Sequence, residues 1–206
     1  MESKGAALNK KQLQSEQTKR KVADAARALF VNKGYKATSI EDISEATGSS
    51  KGNIYYHFKS KEGLFLYLLD EWEQEWEAKW QENVSQYKTV TDKLYGFAKQ
   101  MVLDDLNHPL SKAAGEFFNH DEKPGDVEER IIEMVQGHLK FNRDLIQQGI
   151  DNGEFKAENI ECLAIILESL VIGLSHISRQ LKLQNAIQLY QQAIKIYLYG
   201  IAKPPL

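Results

Sequence analysis

Residues 39 to 58 constrain the fold of this chain more than any other segment, because they predict two short helices hinged at Gly48. The second of these helices holds only two strongly apolar residues, Ile54 and Phe58, one helical turn apart. A helix this short is unstable alone in water, so these two side chains must anchor it to a neighbouring helix. The remaining face, which is polar, aromatic and basic, then points outward. A helix that enters the major groove of DNA requires such a face.

The helix before that segment and the serines within it provide support and caps. Residues 16–33 predict an amphipathic helix, since their apolar side chains recur at helical spacing. Ser39, with Asp42 three residues later, is typical of a capping box at the start of the second helix. Ser49 or Ser50 can cap the third helix by accepting a hydrogen bond from a backbone amide. We therefore predict a helix-turn-helix that lies on a helical floor.

The rest of the chain shows no alternating strand pattern, so we predict an all-α fold. Residues 1–15 are polar and without periodicity, and are expected to form a flexible arm. Pairs such as His108-Pro109 and Asn152-Gly153 separate the later helices. Those helices are expected at residues 60–87, 91–105, 110–120, 126–152, 157–181 and 184–201.

Charge is divided unevenly along the chain, although the net charge is only -3. Residues 1–63 hold 12 Lys and Arg against 7 Asp and Glu, whereas residues 64–206 hold 14 against 22. A basic end that contains the helix pair is expected when one end of a protein meets phosphates. Chance clustering of surface charge is the plain alternative.

Composition and motifs argue against several other classes of protein. Cys162 is the only cysteine, so an intrachain disulfide and a thiolate zinc cluster are excluded. No apolar run approaches the roughly 20 residues that span a bilayer, and the N-terminus lacks the apolar core of a signal peptide. The five histidines are scattered, and no metalloprotease, phosphate-loop or hydrolase motif is present. We expect a cytoplasmic protein without membrane partner, cofactor or metal, and not an enzyme; a helical enzyme is a remote alternative.

A set of residues between Thr18 and Phe65 carries a family resemblance. They are Ala25, Leu29, Phe30, Gly34 to Ser39, Ile43, Gly48, Lys51 to Phe58, Lys61, Glu62, Leu64 and Phe65. This stretch resembles the DNA-binding domain of the TetR family of bacterial transcriptional repressors, and within it the branch that represses multidrug-efflux genes. The resemblance implies about nine helices. A helix-turn-helix DNA-binding domain is implied for residues 16–63, and a ligand-binding and dimerisation domain for residues 64–206.

The resemblance also implies, by position, which side chains contact a double-stranded DNA operator. Each has a physical reason: Lys51 and Lys61 neutralise phosphate, and Asn53 can offer a donor and an acceptor to adenine. One tyrosine packed on the first helix and His57 as an ordinary surface histidine are the alternatives. Phosphate contacts fall on Thr38, Tyr55 and Lys61, and base-edge or groove contacts on Ser50, Lys51, Gly52, Asn53, Tyr56 and His57.

Three tryptophans at spacing i, i+4 and i+8 mark one side of the long fourth helix: Trp72, Trp76 and Trp80. They indicate either plain core packing or an aromatic wall for a lipophilic ligand. In the second case a buried carboxylate would offset a cationic ligand. The candidates are Glu73, then Glu116 with Phe117, Phe118 and Asn119, where the resemblance places a glutamate and aromatic residues, and Glu168, whose apolar neighbours make a charge costly unless it is paired. A helix-end or surface position is the alternative for Glu168.

The last two helices are expected to form the interface of a homodimer, since one recognition helix covers too few base pairs for specificity. Two-fold partners place such helices roughly 34 to 36 Å apart, so the operator would be palindromic. An intramolecular core is the alternative for the same pattern. The predicted interface consists of Gly173, Ile187, Tyr190, Ile194, Tyr197 and Ile201.

Together these features predict a dimeric repressor that a small lipophilic inducer releases from DNA. The charge of the inducer stays open, because a regulator of the same fold could sense a fatty acyl or other metabolic ligand. Buried carboxylates near the tryptophans favour a cation. Buried cations, for which Lys79, Lys99, Lys140 and Arg143 are candidates, favour an acid.

Overall fold

The computed structural model describes residues 10–119 and 125–201, with side chains from residue 12 onward. Within these residues nine α-helices form and no β-strand does, which confirms the predicted all-α class. The helices are α1 (Lys10–Lys33), α2 (Ile40–Thr47), α3 (Lys51–Phe58), α4 (Lys61–Val84), α5 (Val90–Gln100), α6 (Ser111–Phe118), α7 (Gly125–Asp151), α8 (Ile160–Leu181) and α9 (Ala186–Ile201).

One helix begins well before its predicted start, and another contains a distortion that was not predicted. Helix α1 begins at Lys10, so residues 10–15, expected in the flexible arm, are helical; residues 1–9 lie outside the described residues. Helix α5 continues over Met101–Leu106 with π-helical hydrogen bonding, a distortion that the sequence did not reveal. Such turns within α-helices are frequent at functional sites.

The chain divides into two compact units. The described part of the first unit is residues 10–72 and 112–119, and that of the second is residues 73–111 and 125–201. Helix α4 contributes to both units, and α6 belongs to the first although it follows α5 in sequence. The predicted boundary between residues 63 and 64 therefore lies inside the first unit.

The first unit has an aromatic core that supports the helix-turn-helix. The Phe30 ring lies 4.9 Å from the ring of Phe65 and 5.7 Å from that of Tyr35. Phe117 of α6 completes the group, with its ring 5.1 Å from Tyr35 and 5.0 Å from Phe65. Edge and tilted contacts of this kind stabilise a core beyond the area they bury.

An ion-pair cluster joins α4 to α1 within the same unit. The carboxylate of Glu71 accepts hydrogen bonds from Arg20 and Arg27, each at 2.8 Å. Its third donor is the Tyr67 hydroxyl, at 3.0 Å. The start of α4 is thereby fixed against the floor helix.

The second unit corrects the predicted dimer interface. The residues at 3, 4, 3, 4 spacing on α9 are core residues of this unit: Tyr190, Ile194, Tyr197 and Ile201 are each at most 8% exposed, and Ile187 packs against them. The spacing correctly marked a buried face, but that face is covered by helices of the same chain. Gly173 of α8 is exposed.

Helix α8 corrects the statement that no apolar run is long enough to cross a membrane. It has 22 residues, contains a stretch with a mean hydropathy of 1.9, and qualifies by length and composition. The helical faces of α8 and α9 that this chain leaves uncovered are rich in large apolar side chains. They include Ile165, Ile166, Ile172, Ile177, Ile196 and Tyr199, which are 44–75% exposed.

Candidate nucleic-acid interface and ligand site

The turn between α2 and α3 is fixed by caps on both sides. The Ser39 hydroxyl accepts a hydrogen bond from the Asp42 amide at 3.1 Å, and the Asp42 carboxylate accepts one from the Ser39 amide at 2.8 Å, which confirms the capping box. Gly48 ends α2 at a φ of 66°, where a side chain would be strained. Of the two candidate serines, Ser50 caps α3 by accepting from the Asn53 amide at 3.2 Å.

Helix α3 is held by the two side chains that the sequence indicates. Ile54 is fully buried and Phe58 is 5% exposed, with its ring 5.4 Å from the ring of Tyr67. Tyr55 and Tyr56 point to the surface and are 47% and 79% exposed. The outer face of α3 is therefore accessible on the protein surface.

Polar groups surround the two exposed tyrosines. Lys51 forms an ion pair with Glu41 of α2, and Gly52 is exposed beside it. Between α1 and α3 lies an open notch of about 240 Å³, lined by Gln14, Ser15, Thr18, Asn53, Tyr56 and His57. Hydrogen-bonding side chains beside a lysine suit contact with phosphates and base edges.

Two residues predicted to contact phosphate have structural roles in this conformation. Thr38 is buried, and its hydroxyl donates to the Gly34 carbonyl at 2.8 Å. The Lys61 ammonium donates to the carbonyls of Tyr35 and Thr38 at 3.2 and 3.1 Å and lies 4.3 Å from the centre of the Tyr35 ring. Burial lowers its pKa. Both side chains therefore brace the loop between α1 and α2 in this conformation.

The second unit contains an aromatic cluster around two of the predicted tryptophans. The rings of Trp76 and Trp80 stack at 5.8 Å, and Phe141 of α7 meets them edge-on at 5.6 and 5.5 Å. Phe97 closes the cluster at 6.0 Å from Trp76. Trp80 is only 4% exposed, so it is a core residue in this state, whereas Trp76 is half-buried and its indole nitrogen has no hydrogen-bond partner among the described residues.

A chain of charged hydrogen bonds crosses the same unit and links two of the predicted carboxylates. His138 of α7 lies between them, with Nδ1 3.0 Å from Glu168 Oε1 and Nε2 3.2 Å from Glu73 Oε1. Asn142, which is buried, donates to the other oxygen of Glu168 at 2.9 Å. Burial works against the imidazolium, but the hydrogen bonds to Glu168 and Glu73 outweigh it and raise the pKa of His138 to about 10.

A second polar group lies near the π-helical turn. Burial raises the pKa of Asp105 to about 6, although the charges of Arg179 and His138 oppose this. The Arg179 guanidinium donates to the Ser175 hydroxyl at 2.6 Å. The hydroxyls of Ser178 and Tyr190 are buried in the same unit.

The α6 candidates belong to the first unit and make contacts within it. The Glu116 carboxylate accepts a hydrogen bond from the Lys36 amide at 3.0 Å, and Phe117 is buried in the core of the first unit. In this conformation both side chains are therefore engaged within the first unit. Phe118 and Asn119 are exposed, and Trp72 belongs to the first unit.

Four residues of these polar groups were not predicted from the sequence: His138, Asn142, Asp105 and Arg179. A signal existed for one of them, since His138 and Phe141 are three residues apart on a helix and therefore share a face. Nothing in the sequence indicated that this face meets Glu73 and Glu168, because His138 is 65 and 30 positions away from them.

The fold and the α2–α3 surface define a DNA-binding transcription regulator of the helix-turn-helix class. Residues 22–68 match the family described as bacterial regulatory proteins, tetR family, and residues 72–203 match the QacR-like protein, C-terminal region. The chain belongs to the TetR family of bacterial transcriptional regulators. Members of this family are regulators, not enzymes.

Individual relatives agree with this assignment. The HTH-type transcriptional regulator QacR of Staphylococcus aureus is 29% identical over 185 residues, which cover 90% of this chain and 98% of that protein. A TetR-family regulator from Cytophaga hutchinsonii has the same fold, with a TM-score of 0.76 at 21% identity over 93% of this chain and 98% of the other. The regulator FadR of Bacillus subtilis, solved with stearoyl-CoA, gives 0.74 at 18% identity over 88% and 98%.

Proposed function

We propose that this protein is a homodimeric repressor that binds a palindromic operator through α3 and is released by a small lipophilic cation. The observation that carries the proposal is the outer face of α3, where Tyr55 and Tyr56 are exposed while Ile54 and Phe58 anchor the helix from beneath. TetR regulators bind operators and small molecules, typically as dimers.

In the proposed complex α3 enters the major groove. Tyr56 and Asn53 lie on the notch beside α1 and would meet base edges, while Tyr55 and Lys51 reach the flanking phosphates. Gly52 lets the backbone approach closely, because it has no side chain. Lys61 acts indirectly, by holding the loop that precedes α2.

Dimerisation is proposed through the exposed apolar faces of α8 and α9. On α8, Ile165, Ile172 and Gly173 follow helical spacing, and on α9 Ile196 and Tyr199 do the same. Faces this apolar are seldom left in water. Their burial against a second copy accounts for the hydropathy of α8 without a membrane, in keeping with a cytoplasmic protein.

We infer the class of ligand from the charged side chains that are buried in the second unit. Glu168 is 8% exposed and Glu73 lies one helical turn before Trp76, so carboxylates adjoin the aromatic cluster. The basic side chains that would favour an acidic ligand are not buried at this cluster. Lys79, Lys99 and Lys140 are exposed, and Arg143 pairs with an exposed Glu161 at 3.0 Å. An acyl ligand remains the second candidate, because FadR, with the same fold, was solved with stearoyl-CoA.

The test is selection of genomic DNA fragments by the purified protein, followed by gel-shift titration of the enriched fragment. We expect retention that weakens steeply as salt is raised, since phosphate contacts release counterions. Tetraphenylphosphonium, a lipophilic monocation, should then displace the DNA, and stearoyl-CoA should not. Failure to enrich any fragment at low salt contradicts the proposal, and displacement by stearoyl-CoA alone replaces its ligand class.

A further inference from the structure

The bridge from Glu73 through His138 to Glu168 places a side-chain cation where the proposed ligand's charge would sit. Both ring nitrogens of His138 are engaged, one with a carboxylate of α4 and the other with a carboxylate of α8. A histidine can donate from both nitrogens only when it is protonated. The geometry therefore fits an imidazolium between two carboxylates.

The charges that face this bridge leave the site negative by one. Glu73 of α4, Asp105 of the π-helical turn and Glu168 of α8 carry negative charge; His138 of α7 and Arg179 of α8 carry positive charge. If His138 left as a neutral group, the net charge of the site would change from -1 to -2. A cation that took its place would restore the balance.

The surroundings allow such an exchange. The His138 side chain is 49% exposed, so it can rotate toward solvent without opening the core, whereas the Glu168 side chain is 11% exposed and cannot follow it. Trp76 lies three residues after Glu73, and Phe141 three residues after His138, so each helix carries an aromatic ring on the face of its bridge residue. Those two rings are 5.6 Å apart.

We infer that His138 is an internal cation held in the ligand site, and that a lipophilic monocation binds by replacing it between Glu73 and Glu168. The apolar part of the ligand packs on Trp76 and Phe141. This inference takes only the class of ligand, a lipophilic cation, from the proposed function.

Replacement of His138 couples ligand binding to proton release. In the bridge the pKa of His138 is about 10, and once displaced into water it returns to the ordinary value of 6.5. Between these values the displaced imidazole loses its proton, so binding should release about one proton at about pH 8. Affinity for the cation then rises about tenfold per pH unit between about pH 7 and 9. Asp105, with a pKa of about 6, is already ionised in that window.

The experiment is isothermal titration calorimetry of the intact protein at about pH 8, in two buffers of different ionisation enthalpy. The probes are tetraphenylphosphonium and tetraphenylborate, ions of nearly equal size and opposite charge that do not titrate. We expect the phosphonium to bind with release of about one proton and the borate to bind at least tenfold more weakly. Phosphonium binding without proton release, preference for the borate, or no binding of either ion overturns the inference.

Two variants and a control locate the effect. His138→Gln should abolish proton release and bind the phosphonium at least tenfold more tightly at about pH 7, because no imidazolium must be displaced. Glu168→Gln should weaken binding. Lys140→Gln, which removes an exposed cation from the same helix, should match the wild type in both affinity and proton release. If His138→Gln fails to fold, the wild-type proton count and its pH dependence decide the matter alone.

This calorimetry contains no DNA, so its outcome is separate from the test of the proposed function. If the protein releases a proton when the phosphonium binds but enriches no DNA, the inference about His138 stands and the proposed repressor function is wrong. If the phosphonium releases the protein from DNA without proton exchange, the proposed repressor function stands and the inference about His138 is wrong.

Discussion

Substitution of Gly34 by alanine should destabilise the loop that leads into the helix-turn-helix, and Glu116 should determine by how much. Gly34 has a φ of 88°, and a Cβ there would lie 2.6 and 2.7 Å from the two carboxylate oxygens of Glu116. That carboxylate cannot stay in place, and its hydrogen bond with the Lys36 amide would be lost.

The magnitude has two parts. A left-handed conformation costs a residue with a side chain about 1 to 2 kcal/mol. Loss of the hydrogen bond to a charged acceptor adds about 1 to 3 kcal/mol. Gly34→Ala alone should therefore lower the free energy of unfolding by about 2 to 5 kcal/mol. In a chain that already carries Glu116→Ala the clash is absent, so the same change should cost only about 1 to 2 kcal/mol.

The assay is a double-mutant cycle with urea unfolding followed by circular dichroism, together with amide hydrogen exchange at Lys36. We expect a coupling of about 1 to 3 kcal/mol and faster exchange of the Lys36 amide in each single variant. If the two changes add to within about 0.5 kcal/mol, Glu116 does not hold this loop and the reasoning is refuted.

Three further predictions concern the second unit. Ile194→Ala should lower the free energy of unfolding by about 2 to 5 kcal/mol in urea titrations, because this side chain is 2% exposed in the core. Ile196→Asp, at a 63% exposed position on α9, should leave the helical content intact but shift the protein to monomer in light scattering; an unchanged dimer would contradict the proposed interface. The bridge makes the pKa of His138 higher in the folded than in the unfolded chain, so its stabilising effect is complete below 6.5 and is lost as the pH rises toward about 10. The difference in unfolding free energy between wild type and His138→Gln should shrink over that range, and a difference independent of pH would refute the charged bridge.

The helix-turn-helix could be predicted in detail because its determinants are local. A capping box, a glycine at a helix end and two apolar residues one turn apart each act within a few residues. The role of Thr38 could not be predicted in this way, because the hydrogen bond from its hydroxyl to the Gly34 carbonyl depends on the conformation of the loop.

The ligand site and the dimer interface could be predicted only in part, because they depend on which helices meet. The pattern from Tyr190 to Ile201 indicates a buried face on α9 but does not say whether the same chain or a second copy buries it. Likewise, Glu168 was identified as a costly charge from its apolar neighbours, whereas its partner His138, 30 residues earlier, emerges only from the packing of α7 on α8.

The most direct test of the central claim is the affinity of Tyr56→Ala for a DNA fragment selected by the wild-type protein, measured by fluorescence anisotropy. Tyr56 is 79% exposed, so the variant should unfold at the same urea concentration as the wild type. We expect a loss of at least about tenfold in affinity, equivalent to about 1.4 kcal/mol. Unchanged affinity of a fully folded variant would contradict the assignment of α3 as the recognition helix.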